Sequence, residues 1–317
     1  MHFLEMENIS KKILDELLKY RRYFTDSIQF IDEEIVSKVQ LPRIRAFVDQ
    51  GAKIVFILPA FPFKSPNPKK VIGKKPDMGE RLSLVFLNDL CRKIQCIYSP
   101  GAEIIICSDG HVFCDLICVD DDSVNNYQIE MANLLRELNL SHLSLFNLYD
   151  SDLLEIHAFG DYEKLRELLI EFYGRPIDDI RCELKETESG ISLYRAITRF
   201  LYEDSLLPDH TDSKTALQKR ARQLAVAVIQ RSQAWGELLS ASFPTAIRLS
   251  IHPQPAESLK IGIHMMPTKD NWLTPWHGVA VNINGQFTLM KNETAQKMNG
   301  KLIDVFGQPS HYEIEIA

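Results

Sequence analysis

Three short apolar runs, residues 54–58, 102–107 and 143–148, constrain this chain more than any other feature. Each is too short for a core-filling helix, and 102–107, apolar except for Glu103, suits a strand covered on both sides. Between them lie stretches of helical spacing. Residues 80–97 place Leu82, Val85, Phe86 and Leu90 on one side, and another helix runs from Asp122 or Ser123 to Leu140. Strand, helix, strand, helix, strand is the pattern of a parallel, helix-covered sheet. The expected class is α/β, a mostly parallel Rossmann-like sheet.

The rest of the chain divides around that core. Residues 1–50 read as an N-terminal helical segment, with one helix at 9–24 and a second at 32–48, interrupted by Pro42 and stopped by Gly51. Residues 51–160 are the Rossmann-like core. Residues 161–245 form a helical section, with helices expected at 161–173, 191–203 and 214–241. Residues 246–317 turn to short strands at 247–251, 259–265, 278–283, 286–290 and 312–316, a C-terminal mixed or antiparallel portion that completes the site. Asn284-Gly285 between two of these strands is a strong hairpin signal.

Composition narrows the function. The 317 residues are 45% hydrophobic and 25% charged, as in an ordinary globular protein, and the net charge of −7 argues against a nucleic-acid partner. The N-terminus has no signal-peptide pattern, and no apolar run approaches the roughly 20 residues a bilayer requires. A cytoplasmic protein without a membrane partner is expected. Of the six cysteines, Cys107, Cys114 and Cys118 cluster with His111 and invite a zinc reading. Residues 112–119 read instead as a strand with Cys114, Leu116 and Cys118 on one buried face, where cysteine acts as a small hydrophobe. No metal is expected there.

Two places collect polar side chains. The loop at 58–80 follows the first strand and holds five prolines and five lysines, Lys64, Lys69, Lys70, Lys74 and Lys75, with Phe61 and Phe63 near its start. Ligands of open α/β sheets bind beyond the carboxyl ends of strands, so this loop is either an anion site or a solvated, Pro-stiffened connector. Ser108-Asp109-Gly110-His111 forms a second polar strand tip. In the C-terminal portion Arg248, Ser250 and His252 alternate on one strand face, His264 ends the next strand, and His277 follows Trp276 in Thr-Pro-Trp-His-Gly. Dinucleotide, P-loop, serine-hydrolase and HExxH motifs are absent.

The strings LPAFPFKSPNPKKVIG and PDMGE, then SDGHVFCDLICVDD, RLSIHP, KIGIH and TPWHGVAV, taken in this order, resemble the pyoverdine/dityrosine biosynthesis family over roughly residues 53–283. The resemblance implies an isocyanide (isonitrile) synthase. Such an enzyme joins the α-amine of tyrosine or tryptophan to the ketone of ribulose 5-phosphate. The ketone carbon becomes the isonitrile carbon and the remaining sugar is eliminated. No cofactor is implied, and a non-haem iron/2-oxoglutarate oxygenase would act on the product. Onto that chemistry the sequence maps His252, His277, Asp109 and His111 as acid–base candidates. Lys64, Lys70, Lys74 and Arg248 map as phosphate holders, and Phe61, Phe63 or Trp276 as a surface for the aromatic side chain. A lysine Schiff base with the sugar stays open. So do two other readings, a phosphosugar-binding protein without catalysis and a tyrosine-modifying (formylating) enzyme of the dityrosine branch.

Overall fold

The computed structural model describes residues 2–23, 29–154, 161–207 and 211–315. Two N-terminal helices, α1 (His2–Leu18) and α2 (Gln29–Asp49), precede β1 (Ile54–Pro59), α3 (Met78–Ile97) and β2 (Ala102–Cys107). A single turn α4 (Gly110–Phe113), α5 (Asp121–Glu137) and β3 (Leu143–Phe146) complete the first half. Four helices follow, α6 (Tyr162–Tyr173), α7 (Ile177–Glu186), α8 (Glu188–Asp204) and α9 (Lys214–Ser242), and then β4 (Ile247–Ser250) and β5 (Lys260–Gly262). The chain ends with β6 (Val279–Ile283), β7 (Gln286–Met290), α10 (Asn292–Lys297), β8 (Lys301–Val305) and β9 (Gln308–Ile314).

The first sheet has five strands in the order β3-β2-β1-β4-β5, and every neighbouring pair is parallel. Alternation sends Ile54, Phe56, Leu58, Ile104, Ile106 and Leu249 into the larger core, under helices including α1, α2, α3 and α5. Ile57 and Cys107 point the other way, against Leu165, Leu169, Trp235, Leu238 and Leu239 of α6 and α9. From β1 the order runs outward through β2 and β3 on one side and β4 and β5 on the other. The carboxyl ends of β1 and β4 therefore flank the crevice where open parallel sheets bind ligands.

β4 and β5 thus belong to the first sheet although they lie in the C-terminal, strand-rich part of the chain. The second sheet, β7-β6-β9-β8, is mixed, with β6 parallel to β9 and the other pairs antiparallel. Ile283 pairs with Gln286 across the expected Asn284-Gly285 turn.

Several local expectations are corrected. Residues 112–119 are not a strand: α4 leads into a 3-10 turn, Cys114–Ile117, and Cys118 adopts a left-handed conformation. Asp115 within this run binds Arg231 of α9 at 2.5 Å, an anchor that a buried strand would have had to desolvate. Cys114 is buried, but Cys118 is exposed. Helix α2 runs unbroken through Pro42, because packing of Val36, Ile44, Phe47 and Val48 outweighs one lost backbone donor. Helices α7 and α10 and strand β8, polar in composition, were not marked by any apolar pattern. Among the described residues no helix is long and apolar enough to cross a membrane.

Candidate active site at the carboxyl ends of the parallel strands

The loop after β1 is a packed element, not a solvated connector. Phe61, Phe63, Lys64, Ser65, Asn67 and Val71 are all buried. The Ser65 amide donates to the Trp276 carbonyl at 2.9 Å, and Asn67 Nδ2 donates to the Glu203 carbonyl at 2.8 Å. The loop's start is clamped to the tip of β2: Gln128 Nε2 donates to the carbonyls of Phe61 and Pro62 and to Ser108 Oγ. Gly110 completes that junction, since a Cβ there would stand 2.5 Å from the Pro62 carbonyl oxygen.

This packing disperses the five lysines. Lys64 is buried under the first turn of α3, 2.7 Å from both Asp77 and Glu80, and donates to the Pro275 carbonyl at 3.1 Å. Those two carboxylates form the capping box of α3. Despite dehydration, they hold the Lys64 ammonium above its ordinary pKa, while burial and the neighbouring Glu80 push Asp77 up to about 7. Lys64, expected as a phosphate holder, thus sits buried between two carboxylates. Lys75 pairs with Glu130, and Lys74 is exposed, close enough to lower the pKa of Asp120. Lys70 alone turns toward the histidines, 2.6 Å from Asp204 and 3.4 Å from Glu203.

Asp204, at the end of α8, carried no sequence signal. It is buried, accepts from Ser65 Oγ and Lys70 with Oδ1, and turns Oδ2 toward His277 Nε2 at 3.6 Å. That Oδ2 has no hydrogen-bond partner among the described residues. Burial opposes ionisation, yet His277 and Lys70 hold the carboxyl down at about 2. His277 Nδ1 faces Thr274 Oγ1 at 3.1 Å, and Phe200 packs edge-on against the ring at 5.1 Å. The imidazole is thus oriented on both sides.

His252 follows β4. Its ring is exposed to solvent, yet protein crowds it closely enough that dehydration, aided by Arg22, His277 and Lys260, brings its pKa down to about 4. Neither ring nitrogen has a hydrogen-bond partner among the described residues. His277 is close enough to contribute to that shift. His252 is therefore a neutral base with free nitrogens at pH 7. Sequence alone did not rank the histidines; their partners do.

His111 has a different character. Nδ1 meets Asp121 at 2.8 Å, Nε2 meets Asn125 at 3.1 Å, and the ring stacks on Tyr162 at 3.8 Å. Arg166 grips both oxygens of Asp121 at 2.9 and 3.1 Å. Although partly buried, Asp121 is held at about 2 by Arg166, His111 and Cys114. With both nitrogens engaged, His111 lacks the free base or acid that its expected catalytic role requires. His111, Cys114 and Asp121 do bring three ligand-type atoms within 4.8 Å of one another. However, Arg166 already supplies the positive charge on the shared carboxylate, and burial pushes the Cys114 thiol up to about 12.

Asp109, at the tip of β2, has a buried Oδ1 with no partner among the described residues, and burial pushes its pKa up to about 7. Arg248 lies along β4 facing α9, one N–H donating to Ser240 Oγ at 3.1 Å, its Nε buried and unpartnered. Lys260 stands directly across on β5. Phe61, Phe63 and Trp276 are 0%, 4% and 2% exposed, with Phe61 and Trp276 packed 5.0 Å apart. All three rings, expected as a surface for the aromatic side chain, are packed into the core.

A parallel sheet with this strand order, an unpartnered acid and two ordered or unprotonated histidines at its carboxyl edge define an α/β enzyme on a Rossmann-like frame. Residues 44–303 match the family model described as pyoverdine/dityrosine biosynthesis protein. An L-tyrosine isonitrile synthase from Xenorhabdus nematophila is 62% identical, covering 99% of this chain and 94% of its own length. An L-tryptophan isonitrile synthase of Fischerella ambigua is 39% identical over 96% of this chain and 94% of its own. The crystal structure of PvcA from Pseudomonas aeruginosa superposes with a TM-score of 0.92 at 52% identity, covering 96% of this chain and 99% of that one. The chain belongs to the pyoverdine/dityrosine biosynthesis family, and it is an enzyme of the isonitrile-synthase type.

Proposed function

We propose that this enzyme makes the isonitrile of L-tyrosine, taking its terminal carbon from ribulose 5-phosphate. The observation that carries the choice of tyrosine is the 62% identity, spanning 99% of the chain, to a relative that bears that name, against 39% to the tryptophan enzyme. In this reading His252, neutral at pH 7, accepts a hydrogen bond from the neutral α-amine and aims it at the ketone. Asp109, with a pKa near the operating pH, exchanges protons with the sugar carbons as the imine rearranges and the sugar remainder leaves. His277, oriented by Thr274 and Asp204, takes up and returns a proton in this scheme, and the Asp204 carboxylate stabilises the charge on its ring while it holds the proton. The phosphate falls to Arg248, which has no carboxylate within ion-pair distance among the described residues, with Lys70 as the loop's contribution. No cofactor enters this scheme. Ribulose 5-phosphate is a charged metabolite that does not cross membranes unaided, so a cytoplasmic site of action belongs to the same reading. An iron/2-oxoglutarate oxygenase is its proposed consumer.

Mass spectrometry after incubation with ribulose 5-phosphate and either tyrosine or tryptophan tests the reaction. Tyrosine isonitrile is the expected product. A tryptophan product alone would reverse the substrate choice, and a formylated tyrosine would move the enzyme to the dityrosine branch.

A further inference from the structure

Strand β5 opens with a lysine in lateral register with Arg248 of β4, and Arg248 is in turn in register with Ile57 of β1. Side chains in lateral register share one face of a sheet, so Lys260 and Arg248 stand on the face that Ile57 turns toward α6 and α9. Lys260 makes no hydrogen bond or ion pair among the described residues. Its side chain is exposed to solvent, yet enough protein surrounds it that dehydration, and then the charge of Arg248, lowers its pKa. Water access combined with crowding by protein marks the wall of a cleft. Arg248 shares this wall. A Cβ at Gly236 of α9 would stand 3.3 Å from its Nη2, so the helix gives up a side chain where the guanidinium lies. Ser240 takes one N–H, and Nε stays buried without a partner. Charge here is unbalanced. Glu237 is the carboxylate whose field reaches both cations, and it forms an ion pair with neither. Arg43 of α2 also feels Arg248, but its own N–H groups are spent on the carbonyls of Leu259 and Ala246 at 2.6 and 3.0 Å.

Resting on the proposed use of a sugar phosphate, we propose that Lys260 is a further cation of the phosphate site, gripping the phosphate from β5 while Arg248 holds it from β4. A phosphate monoester carries a charge of about −1.5 to −2 at pH 7, which two cations match better than one. Unlike Lys70, Lys260 has no carboxylate to leave when the ligand arrives. The field of Lys260 also reaches His252, which follows β4. A sugar whose phosphate lies along β4 and β5 therefore runs its carbon chain toward that imidazole and the carboxyl ends of the strands. The same two cations set the direction of the sugar as well as its affinity.

The test titrates ribulose 5-phosphate, inorganic phosphate and L-tyrosine separately into the parent, Lys260→Met and Lys260→Arg, with binding read by calorimetry. Lys260→Met should weaken both phosphate ligands by roughly 10-fold or more, the loss expected of one charge-assisted hydrogen bond. Tyrosine binding and the urea midpoint should stay at the parent values, and Lys260→Arg should keep most of the phosphate affinity. Parent-like phosphate binding in Lys260→Met, an equal loss of tyrosine affinity, or an equal loss in Lys260→Arg would overturn the assignment. If Lys260→Met loses phosphate affinity but the parent forms no isonitrile from tyrosine and ribulose 5-phosphate, the proposed reaction fails and the anion site stands.

Discussion

Asp109 and His252 owe their chemistry to what they lack. A carboxylate with an unpartnered, buried Oδ1 is expensive to ionise, and an imidazole among Arg22, Lys260 and His277 is expensive to protonate. The Asp109 pKa of about 7 lies above its unfolded value of roughly 4. Its contribution to stability is therefore present in acid and is lost as pH rises through about 7. Urea melts should show Asp109→Asn gaining stability relative to the parent above pH 7 and losing that advantage near pH 4. The same variant should lose turnover by about 10²- to 10⁴-fold and flatten the rise of kcat with pH through 7. A retained acid limb would assign it to another group. His252→Ala should lower kcat by a comparable factor while tyrosine and sugar phosphate still bind. A larger loss in His277→Ala than in His252→Ala would exchange their roles.

The element that most repays attention is the loop after β1, where proline, phenylalanine and lysine serve packing. Lys64 neutralises a buried pair of carboxylates at the start of α3, and removing one partner of a buried ionic group costs about 3–5 kcal/mol. Lys64→Met should lower the unfolding free energy by that amount, read from the urea midpoint, whereas Lys74→Met should change neither stability nor kinetics. Strand β4 provides the contrast. Arg248→Met should raise the KM for ribulose 5-phosphate about 10- to 150-fold, as expected for a lost charge-assisted hydrogen bond of roughly 1.5–3 kcal/mol, with the tyrosine KM unmoved. Equal effects on both substrates would mean that Arg248 only braces β4 against α9. The lysine spacing was legible in the sequence, but the direction of each side chain was not. Asp77 and Glu80 from the loop's own end, with Asp204 and Glu130 from remote helices, took up three of the five charges.

At the scale of the whole molecule, the site gathers residues from β1, β2, β4, α8 and the segment before β6. The cysteines stay outside it. Dialysis against a chelator should leave turnover intact and elemental analysis should find no stoichiometric zinc. Activity restored only by added metal would return His111, Cys114 and Asp121 to consideration. The parallel sheet, the hairpin at Asn284-Gly285, the long α9 and the family were all readable from the chain, because apolar period, turn chemistry and motif order are local properties carried by neighbouring residues. The same locality explains the failures. Residues 112–119 look like a strand until Asp115 meets Arg231, and His111 looks like a base until Asp121 and Asn125 occupy its nitrogens. Asp204 had no motif to mark it, and it matters through what folding sets beside it, His277. Residue types and the succession of strands and helices along the chain came from the sequence by itself. Tertiary structure alone decided which groups ended up paired and which were left free, because a pKa or an ion pair depends on neighbours brought together from remote parts of the chain.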